Sequence, residues 1–406
     1  MIAYHIVALA LLFITGGYEV EFLDRTSTRM DPLLIGLFVS AAMRLGIHIG
    51  TANFALVAVS MTVAAGLGEL ALRALDLPIS DPAMSSIHQP DAHFGFTLVP
   101  DSVGKGNLSE HIQINSFGAR DHEFDDKDED RLRIVALGDS FTFGYGVELE
   151  DAFVEQLETL LGQRGRPAEV FNLGVGSYQM WHHVEQLNRR VSALEPDLVL
   201  IAFFFDDLIA PLKPAVVQVQ NPFQERVKDK FTGSKLWNTL RNIGNSIEFS
   251  YRHQRGYDYL NSIEERRAYI DERLADYRVL QTGERDAQIR PGVVSAARQI
   301  RSWSVENDVP VFSVYLPDAS QVHQPERQYA NRLLTEVLSR ESMPWLDTTA
   351  AFEAQPELEP LFLFPLDAHT SPAGHRLIAR TIADDAAFIA LLNGIMAERE
   401  NPSRGD

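Results

Sequence analysis

The stretch richest in reactive side chains is RIVALGDSFTFGYGV, residues 133–147. An apolar run passes directly into Gly138, Asp139 and Ser140, and glycines follow at 144 and 146. A serine hydroxyl is a weak nucleophile until a base lies within hydrogen-bond reach. Gly138 permits a sharp exit from a strand. Ser140 would then stand at the strand's carboxyl end, where open α/β sheets bind ligands. The plainer alternative is that Asp139 or Ser140 caps a helix and does nothing else.

A candidate base lies far downstream in PLDAHTSPAGH, residues 365–375. His369 can take the serine proton, and Asp367 can accept from the other imidazole nitrogen and fix its tautomer. In an extended chain, residues two apart point to the same side, so the Asp-x-His pairing is workable. A surface Asp and His ahead of a helix is the competing account. His375 is a second candidate base, although its place in the following amphipathic run suits packing on a sheet. Donors for an oxyanion are available at the Ser140 N–H, at the backbone around Gly174, Gly176 and Ser177, and at Asp206, near the end of the FFFDD run, residues 203–207.

The elements that must position these residues alternate. Residues 133–137, 169–172, 197–205, 309–316 and 344–347 read as strands. Residues 151–163, 179–194, 327–340 and 373–392 read as helices. Strand–helix alternation implies a parallel sheet covered by helices. Residues 208–290 do not fit the alternation. They are charged, helical in period and rich in Arg and Tyr, and read as an insertion near the site.

Composition removes several function classes. The chain of 406 residues carries a net charge of −20, which repels phosphate backbones and argues against nucleic-acid partners. It contains no cysteine, so disulfides, thiolate zinc sites and a cysteine nucleophile are excluded. No Gly-x-Ser-x-Gly elbow, phosphate loop or dinucleotide-binding glycine run is present. His182, His183 and Glu185 could suggest a metal, but adjacent side chains on a helix diverge, and they read as exposed helix residues. No cofactor or metal is expected.

The N-terminal part is more apolar than the rest. Residues 2–15, 32–49 and 54–72 are candidate membrane helices, the last being apolar on nearly every face up to Glu69. Residues 1–76 are therefore expected to form a membrane region of two or three helices, and 77–90 a linker. Residues 91–400 are expected to form the catalytic domain. The Arg bias of the short loops leans weakly toward an external N-terminus.

Together these blocks resemble the SGNH (GDSL-like) hydrolase superfamily. GDS at 138–140 matches its first block, NLGVGSY at 172–178 resembles its glycine block, FFFDD at 203–207 its third and DAH at 367–369 its last. INSFGARD, residues 114–121, is similar to a lead-in of membrane-anchored members, and the Asp-x-His spacing resembles the alginate O-acetyltransferase-like branch. The resemblance implies a flavodoxin-like three-layer sandwich, with a central parallel sheet behind the N-terminal membrane region. It also implies a Ser140–His369–Asp367 triad, an oxyanion hole from Ser140, Gly176, Ser177 and Asp206, and an extracytoplasmic catalytic domain. Two departures stand out: Asp206 occupies the family's Asn position, and Ser177 its oxyanion glycine. The expected activity is ester hydrolysis through an acyl-enzyme on Ser140, with an ester or O-acylated carbohydrate as substrate. The alternatives are an O-acetyltransferase acting on an exported polysaccharide, served by a membrane acyl-donor protein, and a non-catalytic carbohydrate-binding relic.

Overall fold

The computed structural model describes residues 87–104, 109, 111–209 and 262–400, together with 56, 59, 60 and 63–70 near the N-terminus. The apolar segments at 2–15 and 32–49 lie outside the described residues, as does most of 54–72. Residues 63–70 are helical, with Val63, Leu67 and Leu70 exposed. Among the described residues no helix is long and apolar enough to cross a membrane.

Two small antiparallel pairs come first: β1 (His88–Asp91) with β2 (Gly95–Leu98), and β3 (Val103–Gly104) with β4 (Ile112–Gln113). They are absent from the expected elements because two- to four-residue strands carry too little period to read. The main sheet has five parallel strands: β5 (Leu132–Leu137), β6 (Ala168–Asn172), β7 (Leu198–Phe203), β8 (Val311–Tyr315) and β9 (Trp345–Asp347). Their spatial order is β6-β5-β7-β8-β9, the flavodoxin-like order, which reverses direction at β5. The crevice at such a reversal, beyond the strands' carboxyl ends, is where open α/β sheets bind ligands. Every residue of β5, β7 and β8 is buried. Side chains alternate between the two faces of a strand, so both faces are covered.

The covering helices are α1 (Ser140–Phe143), α2 (Phe153–Gln163), α3 (Met180–Arg189), α4 (Ile263–Arg273), α5 (Ala275–Thr282), α6 (Asp286–Asn307), α7 (Tyr329–Arg340), α8 (Thr349–Glu353), α9 (Pro372–Asp384) and α10 (Ala386–Glu400). α2 packs against α9, and α3 packs against α6, which in turn packs against α7. Two expectations need correcting. The C-terminal helix is two helices, because Asp385 interrupts it and its Oδ1 accepts from the Phe388 N–H at 2.8 Å. The boundary read at Arg290 falls inside α6, which continues through Pro291. Proline ordinarily marks a helix end, and here packing overrides the local signal: Val293, Ala296, Ala297 and Ile300 are fully buried.

Candidate active site

β5 ends at Leu137, and the chain turns at once. Asp139 caps α1, its Oδ1 accepting from the Phe141 N–H at 2.9 Å. The capping account was therefore correct for Asp139 and leaves Ser140, the first residue of α1, facing the crevice. A Cβ added at Gly138 would collide with Thr142 Oγ1, and one at Gly174 with the Phe143 N–H. Those glycines allow the Ser140 turn and the 172–178 loop to lie backbone against backbone, and the Val175 N–H donates to the Gly138 carbonyl at 3.1 Å. The 114–121 lead-in closes the assembly. Arg120, fully buried, donates to the carbonyls of Phe143, Gly144 and Val147. Asp121 Oδ2 accepts from the Asn172 N–H at 2.7 Å. Burial pushes the Arg120 guanidinium down to about 10, against the pull of Glu148 and Glu150.

Ser140, Asp367 and His369 form one hydrogen-bonded series. Ser140 Oγ lies 2.7 Å from His369 Nε2, and His369 Nδ1 lies 2.5 Å from Asp367 Oδ1. The Asp-x-His pair does not meet through an extended chain. Residues 367–369 form a bend in which the His369 N–H also donates to Asp367 Oδ1, at 2.8 Å. One carboxylate oxygen thus fixes both the backbone and the ring of the same histidine. The loop is tied further by the Leu363 N–H donating to the His369 carbonyl at 2.8 Å. The two side chains are 25% and 28% exposed, so the pair is open to the crevice on one side. The Phe141 and Tyr145 rings lie 4.9 and 4.5 Å from the imidazole and limit its swing.

Burial tends to lower the proton affinity of His369. The Asp367 charge and hydrogen bond, with Asp139 behind them, outweigh it and hold the imidazole above its ordinary value. Burial tends to raise Asp367. The His369 charge and its two hydrogen bonds outweigh that and hold the carboxyl below the usual range. A histidine with raised affinity beside a constant carboxylate is arranged to take a proton and keep it briefly. His375 is differently placed: it is fully buried in α9, its Nδ1 accepts from the Phe153 N–H at 3.2 Å, and burial drives it down to about 3. It holds α9 to α2 and is not in the series.

The GDSL-like lipase/acylhydrolase family matches residues 136–377, a span containing all four blocks and all three residues of the series. The chain belongs to the GDSL-like lipase/acylhydrolase family. It is accordingly an ester-hydrolysing enzyme. Among solved structures it is similar to TesA, at 12% identity and TM-score 0.37, over 65% of this chain and 99% of that one. It is also similar to a lipase/acylhydrolase from Enterococcus faecalis, at 16% identity and TM-score 0.34, over 63% and 95%. A third is a catalytic mutant of an acetylxylan esterase from Geobacillus stearothermophilus, at 15% identity and TM-score 0.34, over 64% and 94%. No curated protein matches the chain.

The glycine and third blocks of this GDSL-like enzyme carry its two departures. Ser177 is exposed and has a φ of +66°, the left-handed region that favours glycine. The N–H groups of Gly176 and Ser177 have no hydrogen-bond partner among the described residues. Asp206 follows β7, the strand paired with β5, and its Oδ1 is buried without a partner.

Asp206 belongs to a group the sequence did not reveal. Asp139, Asp206 and Asp207 bring carboxylate oxygens within 4.8 Å of one another. Asp207 uses both of its oxygens, one toward His183 Nε2 at 2.9 Å and one on the Phe204 N–H at 2.6 Å. Asp139 uses one on its cap. The trio is thus a hydrogen-bonded acid cluster rather than an open set of ligands. Burial raises all three acids well above the carboxylate range, and mutual repulsion adds to this for Asp139 and Asp206.

The exposed-helix reading of His182 and His183 is overturned, since both are buried. His182 stacks on Tyr178 and Trp181, and burial holds His183 down at about 4. The signal was present. Met180, His183, Val184, Leu187 and Val191 follow the helical repeat of one buried stripe. Arg266 of α4, in the segment read as an insertion, also went unread. It pairs with Asp318 at 3.2 Å, just beyond β8, and lies near enough to Asp206 and His369 for its charge to act on both.

Proposed function

We propose that this enzyme hydrolyses O-acyl esters through an acyl-enzyme on Ser140, with His369 as general base and acid and Asp367 as its orienting carboxylate. The observation carrying the reading is the 2.7 Å and 2.5 Å series from Ser140 Oγ through the imidazole to Asp367 Oδ1. Ser140 Oγ attacks the ester carbonyl carbon as His369 Nε2 takes the hydroxyl proton, and Asp367 stabilises the imidazolium that forms. The charge on the carbonyl oxygen is met by the N–H groups of Ser140, Gly176 and Ser177, with Asp206 beside them. Collapse expels the alcohol, which leaves with the proton from His369. Water then attacks the acyl carbon as His369 takes its proton, and collapse breaks the bond to Oγ, returns that proton to Ser140 and releases the carboxylic acid.

An O-acylated carbohydrate is the substrate class proposed, and the helix at 63–70 with its exposed Val63, Leu67 and Leu70 supports an N-terminal membrane anchor. The same acyl-enzyme resolved by a sugar hydroxyl instead of water would make an O-acetyltransferase, and that version would draw on a membrane acyl-donor protein. A fluorophosphonate probe tests the core of the reading. Ser140 should be labelled in the wild type and unlabelled in Ser140→Ala, whereas a folded wild type that resists labelling would return the chain to a non-catalytic binding role. Aryl acetate turnover with and without an oligosaccharide acceptor then separates hydrolysis from transfer.

A further inference from the structure

We propose that His183 and Gln186 of α3 are positioning residues for the reaction at Ser140, bridging the turn after β7 to the 172–178 loop so that both keep their places beside the serine. The inference rests on the acyl-enzyme reading of Ser140 and adds two side chains that touch neither the triad nor the substrate.

The two segments leave different strands. The 172–178 loop follows β6 and the 204–207 turn follows β7, and β5 lies between those strands in the sheet. Strand pairing therefore does not join them to each other. Toward β5 the loop is held by its own N–H groups, those of Leu173 and Val175 donating to the carbonyls of Ala136 and Gly138 at 2.8 and 3.1 Å. Asp207 closes the other turn on itself: its N–H donates to the Phe204 carbonyl at 3.2 Å, and its Oδ2 accepts from the Phe204 N–H at 2.6 Å.

α3 supplies the bridge. His183 Nε2 lies 2.9 Å from Asp207 Oδ1, and Gln186 Nε2 donates to the Leu173 carbonyl at 2.9 Å. His183, Gln186 and Asp207 are all fully buried. Residues three apart share a helix face, and the Gln186 amide is near enough to raise the proton affinity of the His183 ring. The Phe203 ring stands edge-on to that imidazole, with centroids 5.7 Å apart. Two apolar side chains could fill this space without burying polar groups. What hydrogen bonds add is a fixed distance and direction. One end of the bridge sits three residues before Gly176 and four before Ser177, and the other sits one residue after Asp206. An oxyanion exists only once Ser140 has attacked, so slack in the bridge weakens the transition state and leaves ground-state binding alone.

The experiment reads kcat against KM. His183→Leu and Gln186→Met each cut one end of the bridge. Each should lower kcat for an aryl acetate roughly 10-fold, short of the 10²–10³-fold cost of losing an oxyanion donor outright, and leave KM within about twofold. Fluorophosphonate labelling carried to completion counts the folded sites, so turnover is expressed per labelled serine. Burial holds His183 down at about 4, so the ring is uncharged at neutral pH and an amide can stand in for it. His183→Gln, which places its amide where Nε2 stands, should recover most of the rate. Lower melting temperatures with kcat per labelled site unchanged would overturn the proposal. So would a rise in KM at constant kcat, or a His183→Gln enzyme as slow as His183→Leu. If His183→Leu does not fold, Gln186→Met still reads the split between kcat and KM. An unlabelled Ser140 in the wild type sinks the acyl-enzyme reading, while a labelled Ser140 with undiminished turnover in the variants sinks only the bridge.

Discussion

Arg120 and Phe143 are joined twice: Arg120 Nη1 donates to the Phe143 carbonyl at 3.0 Å, and the guanidinium lies 5.0 Å from the centre of the Phe143 ring. The same side chain reaches the carbonyls of Gly144 and Val147. A lead-in residue thereby fixes the turn that carries Ser140. Arg120→Met should leave three buried carbonyls unsatisfied and cost about 2–4 kcal/mol of stability. Denaturant unfolding monitored by circular dichroism measures this, and a loss below 1 kcal/mol (about one hydrogen bond) would mean the turn holds its shape unaided.

Ser140→Ala and His369→Ala should each lower kcat by roughly 10³-fold or more and leave the melting temperature within a few degrees of the wild type. Both side chains face the crevice rather than the core, so little packing is lost. Turnover surviving in Ser140→Ala would require another nucleophile.

The pH profile follows from the sign of the His369 shift. A general base must be unprotonated, and Asp367 holds this imidazole above its ordinary value of about 6.5. kcat/KM should therefore fall as pH drops through a point above about 6.5. In Asp367→Asn the charge that raises His369 is gone, so the limb should move to lower pH, with turnover reduced roughly 10²–10⁴-fold. An unmoved limb would assign it to a different group.

Ser177 holds a left-handed backbone that costs a non-glycine residue about 1 kcal/mol. Ser177→Gly relieves that strain but frees the unfolded chain, so the net gain should be a few tenths of a kcal/mol. The backbone N–H offered to the oxyanion is retained, and turnover should hold. Thermal melts and aryl acetate kinetics report the two effects separately, and a large drop in kcat would give the Ser177 hydroxyl a role of its own.

Much of this enzyme was legible in the chain. The apolar runs of β5 and β7 are short, continuous and bounded by glycine or acid, as buried parallel strands must be. Their alternation with helices implied the parallel sheet. GDS and DAH offered a candidate nucleophile, base and orienting acid, each with a plainer account as a helix cap or a surface pair. What the sequence could not contain was distance. Ser140 and His369 are 229 residues apart and meet at 2.7 Å only because the strand order reverses at β5 and the 363–369 loop folds back on itself. The acid cluster was invisible for the same reason. Asp139, Asp206 and His183 belong to three different elements, and only packing removes the water that would otherwise let each titrate alone. Local pattern sets which face a residue presents, but proton affinity depends on what surrounds the group in three dimensions, and that is decided by the tertiary fold.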